Sequence, residues 1–178
     1  LIFSLIKKLP LEKPDKVAFW TALFFAVLPI HTEVAANIKS LDELLSITFG
    51  LTTCLLAIRY LQSQKVALLI AAAFVFFLAL LSKESSITYL AIAPLIIYIF
   101  FPKTLLKTTS TLMTPLLLVG GLWLYLRQRV LNTMPPLDPE VFGMLNNPLT
   151  VINSYPTQLA SALNVQFAGL IKLFIPYP

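Results

Sequence analysis

His31, Glu33, Asp42 and Glu43 fall within thirteen residues, with Asn37 and Lys39 among them. Imidazole, carboxylate, amide and ammonium groups at this density can hydrogen-bond a polar ligand, hold a charged one, or support a proton transfer. A second group follows at Ser82-Lys83-Glu84-Ser85-Ser86, and a third at Arg127 and Arg129. Lys83 is a candidate phosphate ligand, and Glu84 a candidate partner for that lysine or for a sugar hydroxyl. Arg127 and Arg129, close behind Trp123 and Tyr125, suit lipid phosphate at a membrane interface. Glu33 and Asn37 are one helical turn apart and share a face wherever that turn is helical. Lys39 and Glu43 have the same spacing and can pair.

These groups punctuate apolar runs. Of the 178 residues 58% are hydrophobic and only 12% charged, and the mean hydropathy is +0.85; a soluble domain carries roughly 25% charged residues. The composition is that of an integral membrane protein. Apolar stretches run from Val17 to Ile30, Leu44 to Ile58, Val66 to Leu81, Ile87 to Phe101, Leu112 to Leu126 and Ala160 to Ile175, and another ends at Ile6. The fold expected is therefore all-α, a polytopic transmembrane helical bundle with six to seven membrane segments. Most stretches fall short of the ~20 residues of a straightforward span, so several helices must extend through their polar flanks or tilt. Prolines 135, 136, 139, 148 and 156 mark the polar stretch 127–155 as a loop. The five polar residues from Ser82 to Ser86 must turn the chain where one long helix would otherwise run.

The net charge of +5 does not point to nucleic acid here, because the basic residues are short clusters between apolar runs. If each run crosses once, Lys7, Lys8, Lys13, Lys16, Arg59, Lys65, Lys103 and Lys107 share one side, which the positive-inside rule makes cytoplasmic. Glu33, Asp42, Glu43, Glu84, Asp138 and Glu140 then share the exoplasmic side with His31, Lys83, Arg127 and Arg129. Almost every group capable of acid, base or anion-binding chemistry collects there. Cys54, the single cysteine, can form no internal disulfide and no metal cluster. Phosphate-binding glycine loops, HExxH and nucleophile-elbow motifs are absent, which removes most support for nucleotide-driven chemistry and zinc hydrolysis.

Leu28-Pro-Ile-His-Thr-Glu-Val-Ala-Ala-Asn-Ile-Lys-Ser-Leu-Asp-Glu-Leu-Leu45, taken with Leu81-Ser-Lys-Glu-Ser-Ser-Ile-Thr88, resembles the membrane region of the transmembrane and tetratricopeptide-repeat-containing O-mannosyltransferases and their bacterial relatives. The tail Leu170 to Pro178 is similar to a segment of the same family. The resemblance implies a GT-C glycosyltransferase that takes a sugar from a polyprenyl-phosphate carrier and passes it on the exoplasmic side to an acceptor, often a protein Ser or Thr. Residues 1–178 would be part of one such domain, an internal fragment. The resemblance also implies that the catalytic carboxylate lies in a loop upstream of Leu1, and that the repeats lie beyond the chain.

On this reading His31, Glu33, Asn37, Asp42, Glu43, Lys83, Glu84, Arg127 and Arg129 line a donor and acceptor cavity, with the lipid bilayer, the polyprenyl-phosphate sugar and a protein acceptor as partners. No cofactor beyond the donor is called for, and no ligand spacing supports a divalent metal. The bacterial inner membrane is the favoured location, with the endoplasmic reticulum second. Two other functions fit the composition: a transporter or flippase of a lipid-linked substrate, and a non-catalytic membrane scaffold subunit. The first calls for charge near the bilayer midplane, whereas the charges here lie at span ends.

Overall fold

A computed structural model of the chain describes residues 1–28, 31, 34, 36–102, 106–133 and 154–174, and every secondary-structure element among them is helical. The helices are α1 (Ile2–Ile6), α2 (Pro14–Val27), α3 (Leu41–Ser63), α4 (Val66–Ser82), α5 (Tyr89–Phe100), α6 (Leu106–Thr133) and α7 (Tyr155–Phe174), with short 3-10 turns at Ile38–Ser40 and Glu84–Thr88. Their limits follow from local chemistry. Proline at the first position of α2 loses no hydrogen bond and has a preset φ, and Asp15 in the first turn meets the positive end of the helix dipole. Leu28, which precedes Pro29 in the sequence, is extended and ends that helix. Gln64 closes α3 in the left-handed conformation, at φ 54°, its backbone N–H donating to the Tyr60 carbonyl and its side-chain Nε2 to the Leu61 carbonyl.

Two helices extend through their polar flanks, whereas α2, α4 and α5 keep 14, 17 and 12 residues. The run from Leu44 to Ile58 lies inside the 23-residue α3, and that from Leu112 to Leu126 inside the 28-residue α6. Two helices, Leu41–Ser63 and Thr108–Thr133, are long and apolar enough to cross a membrane, while Val66–Ser82 and Glu84–Phe100 are apolar but shorter. The continuation of α6 corrects the loop expected from residue 127. Arg127 to Thr133 are compatible with helix, and the first breaker in the sequence is Pro135, so Arg127 and Arg129 stand on the last turns of a helix. Residues 134–153 lie outside the described ones.

Within residues 1–129, α3 and α4 form an antiparallel hairpin against which α1, α5 and α6 pack. The buried face of α3 carries the small residues Ser46, Gly50, Thr53, Cys54 and Ala57 at helical spacing, which lets neighbouring backbones approach closely, and the larger Leu55, Ile58 and Tyr60 towards its C-terminal end. Larger side chains fill in from the partners: Leu5 and Leu9 join Cys54, Leu55, Ile58 and Ala93 near one end, Ile97 and Leu112 meet Ala57 and Tyr60, and Phe76 and Leu80 meet Leu116. Helix α4 buries Ala72, Phe76, Ala79 and Leu80 yet exposes Val66, Ile70, Phe74 and Leu81 on other faces. A helix that is apolar all round suits a surrounding of hydrocarbon rather than water. Residues 130–178 form a separate compact unit that contains α7.

Tyr89 lies directly over Gly50, where a Cβ would overlap the ring, whereas Gly120 meets Leu90 Cδ1 at 3.2 Å and Gly121 faces open space. Alanine substitutions should therefore rank in that order. Gly50→Ala is expected to cost about 1–3 kcal/mol by overpacking, with Gly120→Ala intermediate, and Gly121→Ala should be neutral or stabilising by up to ~1 kcal/mol through helix propensity. Melting in detergent micelles measures the series.

Candidate functional site at the polar end of the helices

The N-terminus of α3, the C-terminus of α4 and the last turns of α6 come together at one end of the bundle. Asp42 and Glu43 occupy the first turn of α3, where carboxylates meet the positive end of the helix dipole. Lys83 caps the C-terminus of α4 in extended conformation, where a cation is favoured for the converse reason. Because the two helices are antiparallel, these ends are neighbours. The Lys83 ammonium forms a charge-assisted hydrogen bond with Glu43 Oε1 and lies 3.5 Å from Asp42 Oδ2. The bond to Glu43 raises the Lys83 pKa above its ordinary value, with the charges of Glu43 and Asp42 adding to it and desolvation opposing it. The amine is thus held protonated.

Beyond Lys83 the 3-10 turn Glu84–Thr88 sends one acid outward and one hydroxyl inward. Glu84 accepts a hydrogen bond from Arg127 Nη2 at 2.9 Å, which ties α6 to the turn. Arg127 also lies over the Trp123 ring, and Arg129 lies over Tyr125 while its Nε donates to that phenol at 3.0 Å. Ser86, 1% exposed, donates to the Ala79 carbonyl, which also accepts the Lys83 amide. Since the single Ser86 proton is used there, Ser46 is the donor in the 2.7 Å hydrogen bond between the two serine hydroxyls. Buried polar groups are thereby satisfied where α3 meets the turn.

The nine candidates divide accordingly. Asp42, Glu43 and Lys83 form one group of ion pairs and Glu84 and Arg127 a second beside it, and Arg129 stands half a turn further along α6. Asn37 acts locally, its Oδ1 accepting the Lys39 amide at 3.0 Å. The His31 ring stacks on Phe25 at 4.0 Å between centroids. Glu33 lies outside the described residues, and so does its expected relation to Asn37.

Two pairings differ from expectation. Glu43 pairs with Lys83 rather than Lys39, because Lys39 sits in a 3-10 turn before α3 and the one-turn geometry of an α-helix does not apply to it. Glu84 pairs with Arg127 rather than Lys83, because the extended backbone at Lys83 separates the two side chains. The contact between Ser46 and Ser86 has no signature in the sequence beyond the two serines themselves. A serine inside an apolar run was the one available signal, and it needed a second hydroxyl forty residues away.

Chemically, the arrangement offers partly exposed carboxylates that can accept hydrogen bonds from hydroxyl groups, beside cations that can meet an anion. Among the described residues no three His, Cys, Asp or Glu side chains converge to hold a metal ion. No protein-family model, curated protein or solved structure matches the chain.

A lysine whose folded-state pKa is raised contributes stability that is fully present below its unfolded value, near 10.5, and is lost as pH rises through the folded one. The melting difference between wild type and Lys83→Met should therefore hold constant from pH 7 to 10 and shrink above that. Ser86→Ala should cost about 1–2 kcal/mol, since it orphans the buried Ser46 donor, whereas Ser46→Ala leaves only an unused lone pair and should cost less than half as much. Chemical denaturation of the two variants in one detergent tests that order.

Proposed function

We propose that the chain is part of a GT-C glycosyltransferase, related to the O-mannosyltransferases with tetratricopeptide repeats, that moves a sugar from a polyprenyl-phosphate carrier to an exoplasmic acceptor such as a protein Ser or Thr hydroxyl. One observation carries the reading. The two segments that resemble this family, around 28–45 and 81–88, meet through the bonds of Lys83 to Glu43 and Asp42. Their junction presents carboxylates for sugar and acceptor hydroxyls next to Arg127 and Arg129, which offer cations for a phosphate. The apolar exterior of the helices suits the polyprenyl tail.

In this proposal the bundle has six to seven membrane segments, the acidic end faces the exoplasm, and the membrane is the bacterial inner membrane. The residues assigned bind and orient substrates; none is given the role of base. Because Lys83 and Arg127 are already paired with carboxylates, the phosphate must compete for them or use Arg129, whose contact is with Tyr125. The same mutual neutralisation favours a second reading, a scaffold subunit in which the ion pairs only hold helices together.

Sugar transfer from a radiolabelled polyprenyl-phosphate donor, measured in membranes that contain the whole protein, separates the two. Glu33→Gln and Lys83→Ala should each lower transfer by about a hundredfold or more while the protein still inserts, Lys83→Ala melting lower through loss of its ion pairs, and Lys83→Arg should recover part of the loss. Transfer unchanged in both Glu33→Gln and Lys83→Ala contradicts the site. Absence of transfer from the wild-type protein, with altered assembly in the variants, supports the scaffold.

A further inference from the structure

The opposite end of the bundle is charged in a different way. Lys7 and Lys8 lie in the turn after α1, Lys13 caps α2 and Lys16 is in its first turn, while Arg59 and Lys65 flank the α3–α4 turn. Leu5 and Leu9 are buried against Leu55 and Ile58, which brings the α1–α2 connection to the same end as Arg59. All six basic side chains are exposed. Lys7 pairs with Asp15 at 2.7 Å, and among the described residues no carboxylate pairs with Lys8, Lys13, Lys16, Arg59 or Lys65. At the polar end, by contrast, Lys83 and Arg127 are both neutralised by carboxylates. Two cations of the polar end are thus answered by carboxylates, while the opposite end, with six basic residues against Glu12 and Asp15, is left with excess positive charge.

That excess borders an apolar surface. Lys16, Trp20, Phe24 and Val27 recur at helical spacing on α2, and Trp20, Phe24 and Val27 are 56%, 66% and 69% exposed. An exposed indole one turn from a lysine is the arrangement of a headgroup boundary, with the ring at the level of the glycerol backbone and the ammonium among the phosphates. Clusters of four or more basic residues beside an apolar helix attract anionic lipid.

The geometry points to a binding surface for anionic phospholipid headgroups, formed by Lys7, Lys8, Lys13, Lys16, Arg59 and Lys65, which recruits acidic lipid to one leaflet around α2. This inference stands apart from the glycosyltransferase reading and holds whether or not the protein transfers sugar. The chain has two tryptophans, Trp20 beside the basic cluster and Trp123 beside Arg127 at the polar end, so each end carries its own reporter.

The test is quenching of Trp20, in Trp123→Phe protein, after reconstitution into mixed vesicles in which either the phosphatidylglycerol or the phosphatidylcholine is brominated high on the tail. Phosphatidylglycerol should be enriched at Trp20 by about threefold over its bulk fraction at low salt, and the enrichment should fall towards one in Lys8→Gln/Lys13→Gln/Lys16→Gln protein. Trp123, read in Trp20→Phe protein, should show a smaller preference. Raising the salt on protein without lysine changes should also abolish the enrichment at Trp20, so the inference stays testable if the triple variant fails to insert. Equal quenching by the two lipids at low salt overturns it, which is also the result expected of a surface built for an acidic polypeptide. A preference that persists through both salt and lysine removal overturns it as well.

Discussion

The Lys83 ammonium lies between two carboxylates that precede it by forty residues, and most of the architecture at the polar end depends on that contact. It joins the start of α3 to the end of α4, where both helix dipoles favour the charges placed there. The extended backbone at Lys83 then turns the chain, and the 3-10 segment that follows sets three further contacts. Ser86 goes beneath Ser46, Tyr89 covers Gly50, and Glu84 reaches Arg127. Loss of the ion pair would loosen a corner on which three helices converge.

Much of this is legible in the residues themselves. The apolar runs mark where helices α2 to α7 lie, Pro29 marks the end of α2, and the five polar residues from Ser82 to Ser86 mark the turn. The same polar interruptions carry Asp42, Glu43, Lys83, Glu84 and Arg127, and the ion pairs bring Lys83 to Asp42 and Glu43, and Arg127 to Glu84. Partner choice is not legible in the same way. Spacing pairs Glu43 with Lys39, but spacing presumes an α-helix, and the backbone there is a 3-10 turn. The length of α6 is missed for a related reason: polarity after Leu126 resembles a loop, although nothing before Pro135 prevents helix. The Ser46 and Ser86 contact depends on tertiary approach alone, as does the seating of the Tyr89 ring on Gly50, which has no Cβ to exclude it.

The two ends of the helices thus differ in how their charges are satisfied. At the polar end carboxylates and cations neutralise one another, which lets several ionisable groups sit beside apolar helices at small energetic cost. Any ligand bound there must offer hydrogen bonds good enough to compete with those pairs, which favours a polyhydroxylated or phosphorylated one over an apolar one. At the other end one acid, Asp15, answers one lysine, and the remaining cations face outward.

Whether the two ion-paired groups, Lys83 with Asp42 and Glu43 and Arg127 with Glu84, share one face of a membrane can be read directly from single cysteines in a Cys54→Ala background. Lys39→Cys, Ser85→Cys and Gln128→Cys, in sealed vesicles of known orientation, should all react with an impermeant maleimide from the exoplasmic side, while Lys8→Cys and Lys65→Cys should react only after the vesicles are opened. Labelling of Lys39→Cys and Ser85→Cys from opposite sides, or of Lys65→Cys together with Ser85→Cys, would contradict the arrangement.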